Sequence, residues 1–399
     1  MGMALGALLG AYLEDDSGGL RALLPLAGRS LLEYQVRCAA AAGAAPIVVM
    51  VERVPHALQD ALERLRHDGY GVFPVSDVHE AASRFKAGSA ILMIGDGVAP
   101  SAQLLLDLAA DAEPVVALVP DDDLHQQHER IDAHSRWAGV AIASAPMLAA
   151  TAAILGDWDL QSTLLRRAVQ EGAARISVEG ELEPLLVETP QQLQTFEGQL
   201  VTASRQPRED WASRYILAPL EDFATSQLMD SSIRPGCLLW TALVLTVVAA
   251  GTFTRGWLGA GLILLCLSAP LDIIAARLAI LRLRPLGPNP LARRLLWPAA
   301  GLALATLGFW EMSHNTGWGA LVTALAGGAF AAAMQLEAQI DVRETDVWLF
   351  SRRNAILLAI PFAIGGAWTS YLIAILVYAG FSFFLVQHVR RALTELTRS

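Results

Sequence analysis

The chain has 399 residues, a formal net charge of −10 at pH 7 and an apolar content of 54%. This apolar content exceeds that of ordinary soluble proteins, which excludes a wholly soluble globular chain. Residues 212–399 contain 14 Arg and 10 Asp plus Glu, a net charge of +4, which leaves −14 for residues 1–211. A segment this acidic lacks the clustered Lys and Arg that bind phosphates, so nucleic-acid binding is excluded.

Strand-like and helix-like stretches alternate through residues 1–205, the first predicted domain. The apolar, strand-like runs are 4–9, 46–51, 89–94, 114–119 and 137–143. The helix-like stretches are 30–42, 56–67, 77–87, 100–110 and 160–171. This alternation predicts a soluble α/β domain with a doubly wound parallel sheet, in which ligands bind at the carboxyl ends of the strands.

Two motifs of this domain resemble the nucleoside-triphosphate transferase family, which includes cytidylyltransferases. They are LLPLAGRSLLEYQ at 23–35 and ILMIGDG at 91–97, and the likeness extends to about residue 175. The resemblance implies binding of CTP, Mg²⁺ as the cofactor and Asp96 as a metal ligand. A turn or helix cap is the alternative role for an aspartate at the end of a strand.

The loop after the first strand departs from that family. It reads GAYLEDDSGG at 10–19, whereas family members have a Gly-rich, basic loop that holds a triphosphate. Three consecutive acids would repel phosphates, and Arg21 stands where the family has a lysine, which makes Arg21 the candidate for nucleotide binding. Nucleotidyl transfer, an inactive fold and ligand sensing remain alternatives for this domain.

A cluster of histidines suggests a metal site, but its spacing does not match a known ligand pattern. His125, His128 and His134 lie beside the acids at 121–123. Spacings of three and six residues in a polar segment favour a solvated loop over a metal site.

Residues 206–236 are predicted to form an amphipathic juxtamembrane segment, and residues 237–391 an all-α domain of six membrane spans. The spans are 237–253, 256–281, 295–310, 317–335, 354–368 and 370–387. Arginines collect in alternate connections and after the last span, which predicts an inner (cytoplasmic) membrane protein with both termini in the cytoplasm. Small residues crowd the fourth span, which predicts either a central position or a homodimer interface between membrane helices.

This six-span arrangement and the entry segment at 214–238 resemble the CDP-alcohol phosphotransferases, enzymes that use a CDP-linked alcohol as donor. Their signature is D-x2-D-G-x2-A-R-x8-G-x3-D-x3-D, whose four acids hold two divalent metals. Asp272, Ala276 and Arg277 match it. The resemblance therefore implies that these three residues bind a CDP-alcohol and that Asp272 also binds Mg²⁺.

The other three acids of the signature are missing. Ala269, Pro290 and Arg294 occupy their positions, so a two-metal site of the usual kind cannot form and the usual catalysis is expected to be lost or altered. The arginines near the second-to-third connection are candidates for binding the headgroups of membrane lipids. These arginines are Arg282, Arg284, Arg293 and Arg294.

Whether the chain is an enzyme is left open by the sequence. The first alternative is an enzyme of phospholipid or polyol-phosphate synthesis with altered chemistry. The second is a pseudoenzyme that scaffolds or regulates an active paralogue. The third is a lipid-binding or transport module that has kept the fold.

Overall fold

The computed structural model describes residues 4–15, 17–154, 159–204, 210–229, 231, 233–283, 291–338 and 347–396. The chain divides into two compact units. One consists of Met1–Ala203 with Leu281–Arg284, and the other of Ser204–Ile280 with Pro285–Ser399.

A seven-stranded sheet forms the centre of the amino-terminal unit. Its strands are β1 (Leu5–Gly10), β2 (Ile47–Met50), β3 (Val72–Val75), β4 (Ala90–Ile94), β5 (Val115–Pro120), β6 (Ser135–Ser144) and β7 (Ala174–Ser177). They are arranged in the order β7-β5-β6-β4-β1-β2-β3. Pro25–Leu26 pairs with Arg29–Ser30, and Val98–Ala99 pairs with Leu185–Leu186, in two short antiparallel ladders.

The predicted α/β class is confirmed, but the sheet is mixed rather than wholly parallel. Strand β6 runs antiparallel to both of its neighbours, β4 and β5. No α-helix lies between β5 and β6, whereas a parallel pair needs a crossover connection, usually a helix. An apolar run such as 137–143 carries no information about strand direction, so the sequence did not reveal this reversal.

Seven α-helices accompany the sheet in the part of this unit that the structure describes. They are α1 (Leu31–Ala41), α2 (His56–His67), α3 (Val78–Ser83), α4 (Ala102–Asp111), α5 (Ala145–Ala152), α6 (Leu160–Gln170) and α7 (Pro190–Ala203). A capping box fixes the start of α1, because Ser30 and Glu33 exchange hydrogen bonds between side chain and backbone. The buried Glu33 also pairs with Arg64 at 2.9 Å, which ties α1 to α2.

The second unit is helical, as predicted. Its helices are α8 (Ala218–Met229), α9 (Pro235–Thr254), α10 (Leu258–Ser268), α11 (Leu271–Leu281), α12 (Leu291–Glu311), α13 (Trp318–Ala338), α14 (Arg352–Ile364) and α15 (Trp368–Leu396). Among the described residues, five stretches are long and apolar enough to cross a membrane. They are Pro235–Thr254, Leu258–Leu281, Leu291–Asn315, Trp318–Leu336 and Trp368–Val389.

The fifth predicted span, 354–368, forms the shorter helix α14. It has 13 residues, about 20 Å at 1.5 Å per residue, against a bilayer core of about 30 Å. Pro361 lies inside the helix, and Gly366 has a φ of +66° just after its end. This left-handed backbone suits glycine and ends the helix early.

Candidate functional sites

The first candidate site lies where the carboxyl ends of β1 and β4 meet. These strands are parallel neighbours, so the loop after β1 lies beside Gly95 and Asp96, which follow β4. Gly10 allows this close approach: a Cβ atom there would lie 2.9 Å from the Cβ of Asp96 and 3.0 Å from the ring of Tyr12. The absence of a side chain at Gly10 therefore positions the loop against Asp96.

Asp96 holds the backbone of that loop. The N–H groups of Tyr12 and Leu13 both donate to Asp96 Oδ2 at 2.6 Å. Asp96 Oδ1 is buried and accepts no hydrogen bond from the described residues. Burial raises the pKa of this carboxyl, although the two backbone donors oppose the shift. Asp96 therefore organises the loop after β1 through Oδ2, whereas Oδ1 lies buried without a hydrogen bond of good geometry from the described residues.

The acids of the loop are paired within the domain. Glu14 forms an ion pair with Arg53 at 2.6 Å. Asp15 accepts hydrogen bonds from the backbone of Ser17 and Gly19, and the hydrogen bond from the Ser17 hydroxyl lowers its pKa. Asp16 lies outside the described residues. The described part of the loop is therefore held by contacts of Glu14 and Asp15 with neighbouring groups.

Arg21, the predicted nucleotide-binding residue, is half-buried and lines the pocket beside Asp96. Its Nε donates to the backbone oxygen of Glu14 at 3.0 Å. The guanidinium thus reaches the edge of the pocket where a phosphate would be expected.

The pocket has a volume of about 650 Å³. Its described lining includes five carboxylates but a single guanidinium, that of Arg21. The carboxylates are those of Glu52, Asp96, Glu129, Asp159 and Glu188. A cavity of this charge disfavours a triphosphate, because like charges repel strongly where water is partly excluded.

Tyr12, Asp159 and Gln161 complete the wall of the pocket opposite Arg21 and were not predicted from the sequence. The Tyr12 hydroxyl donates to Asp159 Oδ1 at 2.9 Å, and burial together with this carboxylate raises the pKa of Tyr12. Gln161 Nε2 donates to the backbone oxygen of Ile94 at 3.0 Å, which fixes the start of α6 to the end of β4. Tyr12, two residues after the end of β1, was the one local signal for this wall.

The described residues do not by themselves make a complete magnesium site at Asp96. No group of three or more His, Cys, Asp or Glu side chains is placed to hold a metal ion in the described parts of the chain. Asp96 offers one unpartnered oxygen, whereas Mg²⁺ needs octahedral oxygen ligation. Substrate phosphates and water would have to supply the remaining ligands.

Two of the three histidines are buried, so the prediction of a solvated loop was wrong for them. His125 lies between two carboxylates, with Nδ1 2.6 Å from Asp122 and Nε2 2.7 Å from Glu183. Burial lowers the pKa of His125, but the hydrogen bonds to Glu183 and Asp122 outweigh it and the net shift is upward. His128 bonds to the backbone oxygen of Trp137. These contacts hold the loop to the rest of the domain. Among the described residues, they do not form a group placed to hold a metal ion.

The second candidate site surrounds Asp272 in the helical unit. Arg353 Nη2 donates to Asp272 Oδ2 at 2.7 Å, and Arg352 Nη2 donates to Oδ1 at 3.2 Å. Arg353 also pairs with Asp210, which in turn accepts hydrogen bonds from Ser213. Two arginines and two aspartates thus form a buried, charge-balanced network between α11, α14 and the turn Ala212–Ile216.

Arg277, the other charged residue of the predicted signature, is 1% exposed. Its Nη1 donates to Glu221 at 3.0 Å and to Asp222 at 2.6 Å, and its Nε donates to Ser204 at 3.2 Å. Arg277 therefore holds helix α8. Ala276 is half-buried on α11 beside it.

The predicted headgroup-binding arginines are placed as follows. Arg293 and Arg294 are exposed at the start of α12. Arg282 directly follows the last residue of α11, and Arg284 lies outside the described residues. Sequence reasoning missed Arg352, Arg353 and Asp210. The two arginines were interpreted as evidence for the orientation of the chain in the membrane, and their acidic partners are distant in sequence.

The comparisons with known proteins concern the amino-terminal part. Residues 17–175 match the family model of the MobA-like NTP transferase domain. Among similar solved structures is 4-diphosphocytidyl-2C-methyl-D-erythritol synthase from Anaerococcus prevotii, at 12% identity and a TM-score of 0.38, covering 50% of this chain and 96% of that one. Another is CTP:phosphocholine cytidylyltransferase from Streptococcus pneumoniae, at 15% identity and a TM-score of 0.37, covering 50% and 100%. No curated protein matches the chain.

The fold and the family match agree on the amino-terminal unit. The matched residues include β2 to β6 and end within β7. The chain therefore carries an amino-terminal MobA-like NTP transferase domain, followed by a helical region in whose described residues five stretches are of membrane-spanning length.

Proposed function

We propose that this chain is a non-catalytic membrane protein that joins a nucleotidyltransferase-like domain to a helical unit related to the CDP-alcohol phosphotransferases. The observation that carries this proposal is the pairing of Asp272, whose two oxygens both accept hydrogen bonds from Arg352 and Arg353. A divalent cation would have to displace two guanidinium groups from this carboxylate against their positive charge. The one acid left of the signature thus serves the packing of the helices.

The amino-terminal domain supports the same reading. Asp96 uses the backbone donors of Tyr12 and Leu13, which follow β1 where the related enzymes are expected to hold phosphates. The acidic pocket further opposes a triphosphate: Glu129 pairs with Arg166, but Arg21 is the one guanidinium in the described lining for the other four carboxylates. CTP is therefore a poor ligand for this site.

The role that follows is that of a scaffold or regulator of an active paralogue in phospholipid or polyol-phosphate synthesis. The protein would lie in the inner membrane with both termini and the amino-terminal domain in the cytoplasm. The arginines in alternate connections favour this orientation, because positively charged connections tend to stay on the cytoplasmic side. Exposed Arg293 and Arg294 would contact anionic headgroups there.

The proposal is tested with the full-length chain in lipid nanodiscs. Pyrophosphate release is measured with CTP, Mg²⁺ and a panel of phosphoalcohols, and CMP release with CDP-linked alcohols. We expect both rates to equal those of the matched variants Asp96→Asn and Asp272→Asn. Release above these controls would show catalysis and overturn the proposal.

The regulatory role needs its own experiment. An active CDP-alcohol phosphotransferase from the same membrane is reconstituted with and without this chain, and its CMP release is compared. We expect co-purification of the two proteins and a changed rate. Unchanged activity together with no co-purification would contradict the role.

Ligand sensing by the amino-terminal domain is a second candidate, favoured by the 650 Å³ pocket and the unpartnered Asp96 Oδ1. A hydroxyl or amine of a ligand could donate to that oxygen, with no transfer step. Calorimetric titration should show cytidine binding more tightly than CTP. Tighter Mg²⁺-dependent binding of CTP would favour the transferase reading instead.

A further inference from the structure

The helical unit contains a cavity of about 510 Å³. Among the described residues of the predicted signature, none contributes to the lining of this cavity. Helices α10, α12, α13, α14 and α15 surround it, and most of its lining side chains are apolar. On α12 the lining runs from Trp297 to Leu307, which is about 15 Å along the helix axis. The cavity is therefore a slot roughly parallel to the helices rather than a round hole.

The slot has a mouth between α12 and α13. Gly301 and Ala332, which line it, are both exposed. Gly301 and Gly328 each lie near the middle of a stretch of membrane-spanning length, Leu291–Asn315 and Trp318–Leu336. At that depth the medium outside a membrane-spanning helix is hydrocarbon, so the groups that can enter are lipid chains.

The glycines of α13 distinguish the packed side of the helix from the open side. A Cβ atom on Gly327 would lie 3.3 Å from Ile375 and 3.4 Å from the backbone of Leu376, within packed α15. A Cβ atom on Gly328 or on Gly301 would meet nothing within 4 Å. The space beside these two glycines is therefore open: Gly301 is exposed at the mouth, and Gly328 is half-buried in the lining.

Polar groups lie toward one end of the slot. Arg352, at the first turn of α14, and Gln335, near the end of α13, are both part of the lining. Arg352 already belongs to the network with Arg353, Asp210 and Asp272, in which two positive charges face two negative ones. This end can meet the polar part of a lipid, but its balanced charge gives no preference for an anionic headgroup.

We infer that the slot binds one acyl chain of a bilayer glycerophospholipid, which enters sideways between α12 and α13 and is held by its chain rather than by its headgroup. A dry apolar void of this size leaves its walls without contacts, whereas a chain restores them. The volume lies within the range of ordinary ligand pockets. This site does not depend on whether the chain is catalytic.

Native mass spectrometry of the full-length protein, released from nanodiscs and progressively delipidated, tests this inference. The filling variants are Gly328→Leu and Gly301→Leu, whose new side chains have room to enter the slot. Gly319→Leu is the matched control, because Gly319 also lies on α13 with nothing within 4 Å but does not line the slot. Thermal unfolding checks that all three variants fold.

We expect the wild type and Gly319→Leu to retain one phospholipid per chain. Displacing two methylenes from the slot should weaken retention about tenfold in each filling variant. Equal retention by the wild type and both filling variants would overturn the inference, as would equal loss in the control.

A titration of the wild type with single-chain lipids needs no variant. Affinity should rise with chain length and level off once the chain is longer than the slot. At an ionic strength that screens Arg293 and Arg294, phosphatidylcholine and phosphatidylglycerol should be retained equally. An affinity independent of chain length, or a strong preference for phosphatidylglycerol, would overturn recognition by the chain.

Discussion

Arg353 Nη2 lies 2.7 Å from Asp272 Oδ2, an ion pair that joins the start of α14 to α11. Both side chains are largely shielded, with 18% and 10% exposure. Removing one partner would leave a buried charge without its counter-ion. The pair is therefore central to the stability of the helical unit and to the proposed loss of metal binding.

Neutralising Asp272 should destabilise the helical unit. Asp272→Asn is expected to lower the free energy of unfolding by roughly 3–5 kcal/mol, because Arg352 and Arg353 lose their shared partner. Thermal and denaturant unfolding in detergent measure the change. The control is Arg294→Gln on the exposed face of α12, which should change the free energy of unfolding by no more than about 0.5 kcal/mol. Equal stability of the two variants would show that the network is unimportant.

Arg277 is expected to hold α8 in place. Arg277→Met removes the guanidinium that donates to both Glu221 and Asp222, which should weaken the attachment of α8 and loosen the helix. Limited proteolysis should then cut within α8 faster than in the wild type. Arg255→Met, at an exposed position after α9, should leave the cleavage pattern unchanged. Unaltered cleavage in Arg277→Met would refute this role.

Gly10 should not tolerate a side chain. Gly10→Ala places a Cβ atom 2.9 Å from the Cβ of Asp96, so the loop must shift and stability should fall by about 1–3 kcal/mol. The control is Gly198→Ala on α7, where nothing lies within 4 Å and helix propensity should raise stability by up to about 1 kcal/mol. Similar effects of the two substitutions would contradict the close approach of the loop to Asp96.

The contribution of His125 to stability should depend on pH. Its pKa is raised in the folded state, so the stabilisation is complete below the unfolded value near 6.5 and is lost as pH rises through the folded value. The difference in unfolding free energy between wild type and His125→Gln should therefore be larger at pH 5.5 than at pH 9. A difference that grows with pH would show the opposite linkage.

The sidedness of the chain can be tested through its carboxyl terminus. Both termini are proposed to be cytoplasmic, which requires α14 to cross as a sixth span although it has only 13 residues. A green fluorescent protein fused after residue 399 should fluoresce, and alkaline phosphatase at the same point should be inactive. Active phosphatase would mean an odd number of crossings.

The pattern of apolar runs predicted most of the architecture. Five of the seven strands of the sheet and the membrane-length helices lie where the sequence placed them, because length and period identify buried elements, whereas β3 and β7 were not predicted. Strand β6 could not be oriented, since a continuously apolar run looks the same in either direction. Helix α14 is shorter than predicted because Pro361 and Gly366 act locally within an apolar stretch.

The candidate sites were less predictable. Asp96, Asp272 and Arg277, which the sequence singled out as candidate site residues, are buried, and their partners are far away in sequence. Asp210 and Arg353 are separated by 143 positions, and no local pattern links them. Such a pairing follows from the packing of helices and becomes visible only in the fold.

CMP release from a CDP-linked alcohol by the full-length chain in nanodiscs, measured with and without Mg²⁺, tests the central claim most directly. Since Asp272 is held by two arginines, the account predicts no Mg²⁺-dependent release from the wild type and the same background from Asp272→Asn. Mg²⁺-dependent release by the wild type that Asp272→Asn abolishes would contradict it.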